Sequence, residues 1–173
     1  MCRNYSVHNV CNWMLPEHDP HDLCESCRLT EIIPALGLRQ NRVSWYRMEQ
    51  AKRRLIYTLS TLGLSPASRT EDPENGLAFR FLADSVLSGR VMTGHLSGII
   101  TLNIAEADDL LRERTRSLMG EPYRTLLGHF GHEVGHYYWY RLFEADAELA
   151  AFRKLFGDER ADYGASLRRH YEQ

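Results

Sequence analysis

His132-Glu133-Val134-Gly135-His136 places two imidazoles four residues apart, with a carboxylate directly after the first. On an α-helix residues at that spacing share a face, about one turn apart. Two such nitrogens can hold one zinc ion, and Glu133 can face a water bound to it and act as general base. The reaction implied is metal-assisted hydrolysis. The competing reading is a pair of ordinary histidines on a packed helix. No proline interrupts the chain after Pro122 as far as Leu142. Leu126, Leu127, Phe130, Val134, Tyr137 and Tyr138 recur at helical spacing, so a partly buried helix is expected here. Gly128, Gly131 and Gly135 each cost such a helix about 1 kcal/mol relative to alanine. Their clustering points to close approach of a strand, a loop or a substrate. His129 is read as a structural or supporting residue.

The second chemical signal is at the other end. All four cysteines, Cys2, Cys11, Cys24 and Cys27, fall in the first 27 residues. The chain shows no charged start followed by an apolar core, so no secretory signal is read and disulfides are disfavoured. Cys24-Glu25-Ser26-Cys27 is a C-x-x-C turn that brings two thiolates to one tetrahedral ion, with Cys2 and Cys11 completing the set. His8, His18 and His21 are close enough to replace a cysteine, and two disulfides or a redox C-x-x-C are the alternatives. A segment this short buries little core, so a structural zinc would supply much of its folding free energy.

Composition narrows the partners. The net charge is −2, which gives no global basic field for nucleic acid. Arg39, Arg42, Arg47, Arg53 and Arg54 gather near Trp45 and Tyr46, but on a helix such residues form a solvated face more often than a nucleic-acid site. No apolar run approaches a membrane span. The expected setting is the cytoplasm.

The expected architecture is α+β, with a cysteine module over residues 1–30 and a larger domain over 41–173. A helix is predicted over 42–62, capped by Asn41, striped by Trp45, Met48, Leu55, Leu59 and Leu62, and stopped by Gly63. Strands are predicted over 77–83, 91–95 and 99–104, the last two joined by Leu96-Ser97-Gly98. A polar helix over 105–118, the histidine helix, and a last helix capped by Asp158 follow. A hairpin, a helix and then a metal helix is the plan of zincin-type metallopeptidases. There an edge strand binds extended peptide, and 99–104 is the candidate, with an ordinary buried strand as the alternative.

The whole chain resembles a bacterial family of zinc-binding metallopeptidases with an N-terminal zinc-ribbon domain. The resemblance rests on Cys11-Asn12-Trp13, Cys24 to Leu29, Ala51-Lys52-Arg53-Arg54-Leu55, Gly94-His95 and Thr101 to Asp108. It is densest from Pro122 to Phe130 and from His132 to Trp139, and Phe156 to Tyr163 completes it. It implies a zinc-ribbon module followed by a zincin-like domain, one structural and one catalytic zinc, and a peptide or protein substrate. Against the family pattern the chain looks trimmed at both ends.

A catalytic zinc takes three protein ligands and keeps one position open. His132 and His136 are two. Glu144, eight residues beyond His136, would lie about 12 Å up a continuous helix. Glu148 needs a turn that the sequence does not announce. Glu159 is the preferred third ligand, and a residue beyond Gln173 is the alternative. Glu159 and Asp162 could equally be acidic first-turn residues of the last helix. Tyr137, Tyr138 and His95 are candidates to stabilise an oxyanion. The reading is thus a zinc metallopeptidase with Glu133 as base. The other reading is a non-catalytic, zinc-stabilised module that binds protein or nucleic acid.

Overall fold

A short mixed sheet and the two helices laid on one of its faces organise most of the chain. The computed structural model describes residues 1–85, 89–119, 124–143 and 146–171. They fall into two compact units, Met1–Tyr137 and Tyr138–Gln173.

In the first unit two single-turn helices, α1 (Arg3–Ser6) and α2 (Glu25–Arg28), frame the cysteines. Strand β1 (Thr30–Ile32) follows Cys27 almost at once and leads into the long helix α3 (Arg39–Thr61). Strands β2 (Ala78–Leu82), β3 (Gly94–Leu96) and β4 (Ile99–Asn103) complete a sheet of order β1-β2-β4-β3. β1 and β4 run parallel to β2, and β3 is antiparallel to β4. A 3₁₀ turn (Ile104–Ala107), α4 (Asp109–Met119) and α5 (Leu126–Leu142) follow.

The sheet alternates as a one-faced sheet should. Phe79, Phe81, Ile100 and Leu102 are fully buried, whereas Arg80 turns the other way and pairs with Glu31. Phe130 of α5 packs on Phe79 and Phe81, with ring centroids 5.6 and 6.1 Å apart. Lys52 of α3 places its ammonium 5.5 Å from the centroid of each of the same two rings. Both helices therefore rest on the phenylalanine face.

The structure revises several expectations. Helix α3 starts three residues before residue 42, with Leu38 as an N-cap that offers no side-chain bond. Asn41 lies inside the helix and donates to the Ala35 carbonyl at 2.9 Å. Leu62 is 66% exposed and Ile56 takes its place in the core, because the helix turns its buried face steadily through Trp45, Met48, Lys52, Ile56 and Leu59. Gly63 does end the helix, at φ +73°. β1, three residues long, is a strand the sequence did not announce. Residues 99–104 were offered as a peptide-binding edge. β4 is instead internal, paired on both sides, so the buried-strand alternative is the one observed. The edges are β1 and β3.

The expected β3–β4 hairpin forms, but β3 covers Gly94–Leu96 rather than 91–95, and Leu96 pairs with Ile99 instead of joining the turn. Ser97 and Gly98, at φ +47° and +79°, form the two-residue turn whose twist suits antiparallel strands. Gly98 is also required by space, since a Cβ there would lie 2.6 Å from the Gly76 carbonyl oxygen.

The second unit contains α6 (Asp146–Phe156), a helix absent from the sequence expectation, and α7 (Tyr163–Tyr171). Trp139, Phe143, Phe152 and Phe156 form its aromatic cluster, with successive ring centroids 4.6–5.1 Å apart. Gly157, at φ +90°, closes α6. The last helix is capped by Asp162 rather than Asp158. Asp162 accepts from the Ala165 amide, while Asp158 is spent on a turn that binds Arg160. Glu159 and Asp162 accordingly precede α7 and do not share a face of it. Glu144 and the segment around Glu121-Pro122 lie outside the described residues.

The Glu49–Lys52 pair inside this core, 2.9 Å apart with both side chains wholly buried, gives the first test. Glu49→Ala leaves the Lys52 ammonium buried without its counter-charge and is expected to cost about 3–5 kcal/mol. Replacing both residues by methionine is expected to cost far less. Urea unfolding of the three proteins measures the difference.

Candidate metal centres

The cysteine module gathers its four thiols where the chain returns on itself. The Cys2 amide donates to the Trp13 carbonyl at 3.0 Å and the Arg3 amide to Asp22 at 2.7 Å, so the N-terminus is stitched between the other cysteine segments. All four cysteines are buried and free of disulfides, and their sulfurs lie within 4.8 Å of one another. Among the described residues this is the only group of three or more potential ligand side chains. Cys11 Sγ and Cys24 Sγ are 3.7 Å apart. That suits a tetrahedral ion, since zinc–sulfur bonds of about 2.3 Å put ligand sulfurs about 3.8 Å apart. It is far too long for a disulfide, at about 2.05 Å. Backbone amides of Trp13 and Cys24 point at Cys11 Sγ and Cys2 Sγ, at 3.5 and 3.4 Å, and would favour thiolates.

The thiols titrate together. Hydrogen bonds from Cys24 and Cys27 hold Cys11 well below the ordinary thiol range, with the Arg53 charge assisting. The bond to Cys11 pushes Cys24 up to about 12, and bonds to Cys11 and Cys24 push Cys27 higher still. A divalent ion held by Cys2, Cys11, Cys24 and Cys27 would take the place of those protons. His8, which was a possible substitute ligand, instead packs edge-on to Trp45 with ring centroids 5.2 Å apart.

The histidine pair sits on α5. Thr125 caps this helix by accepting from the Gly128 amide at 3.0 Å. Leu126, Phe130, Val134 and Tyr137 form its buried stripe. His132 and His136 fall on the exposed side, with their Nε2 atoms 3.1 Å apart and their rings at 89°. Two zinc-bound nitrogens at about 2.0–2.1 Å would be about 3.3 Å apart in a tetrahedron, so the pair fits one ion. Glu133 is half-buried beside it.

The hairpin brings a third imidazole close. The His95 ring lies parallel to that of His136, at 12°, with centroids 6.3 Å apart. Its Nε2 accepts from the Gly98 amide at 3.0 Å. Burial, then the neighbouring His136 charge, lowers its pKa against an opposing effect of Glu133. The sequence offered Tyr137, Tyr138 and His95 alike as auxiliary groups. Tyr137 is buried and donates its hydroxyl to the Asn75 carbonyl at 3.0 Å.

Two supports were missed by residue-level reading. Glu106 accepts from His129 Nδ1 and from the Thr93 hydroxyl. Burial raises the Glu106 pKa, but those bonds outweigh it and leave it below the usual carboxylate range. His129 is thereby a structural residue. Asn103 accepts from the Ala105 amide and donates to Asp84 and Val91, fixing the strand end. Their only signal was their place in the Thr101–Asp108 stretch.

Glu159 lies in the Tyr138–Gln173 unit, where Arg153 holds its carboxylate by two hydrogen bonds, one of 2.9 Å. Within Met1–Tyr137 the described residues bring no third ligand to the histidine pair.

Residues 41–173 match a family described as "Putative zinc-binding metallo-peptidase", and residues 1–38 match a zinc-ribbon domain. The chain belongs to that metallopeptidase family. An N-terminal zinc ribbon followed by a peptidase-like α+β domain is its plan. Among curated relatives are uncharacterized proteins of Mycobacterium bovis and of two strains of Mycobacterium tuberculosis, each 47% identical over 172 residues. The match covers 99% of this chain and 50% of each relative, so the chain spans about half their length. No solved structure matches. Among the described residues no helix is long and apolar enough to cross a membrane.

Zinc binding by the family and four clustered thiols lead to a direct expectation. Cys24→Ser with Cys27→Ser should remove one zinc per chain and lower the melting temperature, as read by metal analysis and calorimetry.

Proposed function

We propose that this chain forms the catalytic centre of a zinc-dependent peptidase, with zinc at His132 and His136 and Glu133 as general base. The observation that carries the reading is the 3.1 Å separation of the two Nε2 atoms on an exposed helix face beside the Glu133 carboxylate. Bound zinc would polarise a water and the scissile carbonyl. Glu133 takes the proton of the attacking water and passes it to the departing amine. His95, held by the Gly98 amide and stacked on His136, is the proposed hydrogen-bond donor to the carbonyl oxygen. Gly131 and Gly135 flank the histidines along the helix, and a Cβ at either would meet nothing within 4 Å among the described residues. Of the strand, loop or substrate that the sequence suggested for a close approach to these glycines, the open strip they leave suits a peptide or protein substrate. Glu159 is the proposed third ligand and would exchange its Arg153 partner for the metal.

Glu133→Gln should keep the zinc content of the parent and lower peptide hydrolysis by about 10²–10⁴-fold. The assay is a fluorogenic peptide library. Full activity in that variant rules out the mechanism.

Among the described residues of Met1–Tyr137 no third ligand joins the histidine pair, which favours a second reading, a zinc-stabilised binding module without catalysis. Metal analysis separates the two. The peptidase reading expects two zinc ions per chain, one lost in His132→Ala and weakened in Glu159→Ala. A single ion that survives His132→Ala leaves the binding module. We further infer that the protein acts in the cytoplasm.

A further inference from the structure

A groove of about 1040 Å³ runs between the cysteine module and the outer side of α3, apart from the histidine pair. Its lining includes Arg42, Arg53 and Arg54 and no aspartate or glutamate. The chain as a whole is acidic, so this is a local reversal of charge. Many arginines elsewhere are neutralised by carboxylates, as Arg28, Arg47, Arg80 and Arg112 are. Arg42 and Arg54 have no side-chain partner among the described residues. Arg53 is 6% exposed and is fixed by a 2.6 Å bond to the Val10 carbonyl, so one cation is built into the wall.

The same groove is aromatic on both sides. Tyr5 and Trp13 come from the cysteine module, and Tyr46 and Tyr57 from α3. Tyr5, Tyr46 and Tyr57 are 44%, 41% and 67% exposed, so their ring surfaces are open to a ligand. Residues 42, 46, 50, 53 and 57 recur every three or four positions and form one stripe of α3, distinct from its core stripe. Tyr46 and Tyr57 are separated by about 16 Å along the axis at 1.5 Å per residue. That span exceeds one nucleotide and suits a strand.

Arg42 and Arg54, without a counter-charge among the described residues, interleave with exposed aromatic rings in an open groove, which matches the chemistry of phosphodiesters carrying unstacked bases. An acidic peptide would use the arginines but not four aromatic faces. A duplex would bury its bases away from them. We propose that the groove between the cysteine module and α3 binds single-stranded nucleic acid, with Tyr46 and Tyr57 stacking on bases and Arg42 and Arg54 neutralising phosphates. Sequence-level charge argued against nucleic acid because it averages over the whole chain. The groove is independent of the peptidase reading.

The test uses the zinc-loaded full chain and fluorescein-labelled oligo(dT) and oligo(U) of about 12 nucleotides, by anisotropy at low salt. Binding of either is expected, and the pair tells DNA from RNA. Tyr46→Ala and Tyr57→Ala should each weaken binding about tenfold. Arg42→Ala with Arg54→Ala should also weaken it, and should flatten the dependence of log affinity on log salt by about 1.4. All four side chains are exposed, and an unchanged melting temperature confirms that the variants fold. No binding at low salt overturns the proposal. So does equal competition by polyglutamate or by duplex DNA, which would make the groove a polyanion surface only. Binding untouched by the tyrosine changes overturns it as well.

Discussion

The fold depends on one buried ion pair. Glu49 accepts hydrogen bonds from the Thr30 hydroxyl at 2.7 Å and from the Trp45 indole at 3.1 Å, while Lys52 lies against it and over Phe79 and Phe81. Two charges without solvent contact are costly unless their bonding capacity is filled. Here β1 supplies a hydroxyl, α3 an indole and β2 two ring faces. The demand for satisfaction fixes how these three elements meet, which an all-apolar interface would specify less tightly. Phe130 then completes the same ring cluster from α5, and with it the height and rotation of the helix that presents His132 and His136.

The site geometry follows from this support. The histidine face of α5 is set by the opposite, buried stripe through Phe130 and Val134. The hairpin that brings up His95 is set by β4, whose Ile100 and Leu102 sit in register with Phe79 and Phe81. Glu106 and His129 tie the end of that hairpin to the first turn of α5. His95 and the His132–His136 pair are thus positioned by one continuous set of contacts.

Legibility in the sequence varied with the locality of the cause. The cysteine set, the histidine pair, the hairpin turn and the stop at Gly63 are short-range features whose chemistry is complete within a few residues, and they could be read. Ile56 in place of Leu62, β1, and the internal position of β4 are decided by packing across the sheet, which no local period encodes. Lys52 and Glu49 look like members of a solvated helix face until their partners are known. Asp162 took the capping role expected of Asp158 because Arg160 engages Asp158 first. The arginines of α3 near Tyr46 were visible, but the groove's second wall, from Tyr5 and Trp13, is supplied by a segment about thirty to fifty residues earlier.

Family matching divides the chain near residue 40, yet the contacts do not. Cys27 is two residues from Leu29, whose carbonyl accepts the Phe79 amide at 2.7 Å, and Phe79 touches both Lys52 and Phe130. The four sulfurs are therefore joined to the sheet by a single short run of backbone. Free energy released when an ion organises those sulfurs is not confined to the module, because N-terminal order and sheet order are linked equilibria. An ion lost from the sulfur cluster would therefore loosen the sheet as well as the N-terminal module.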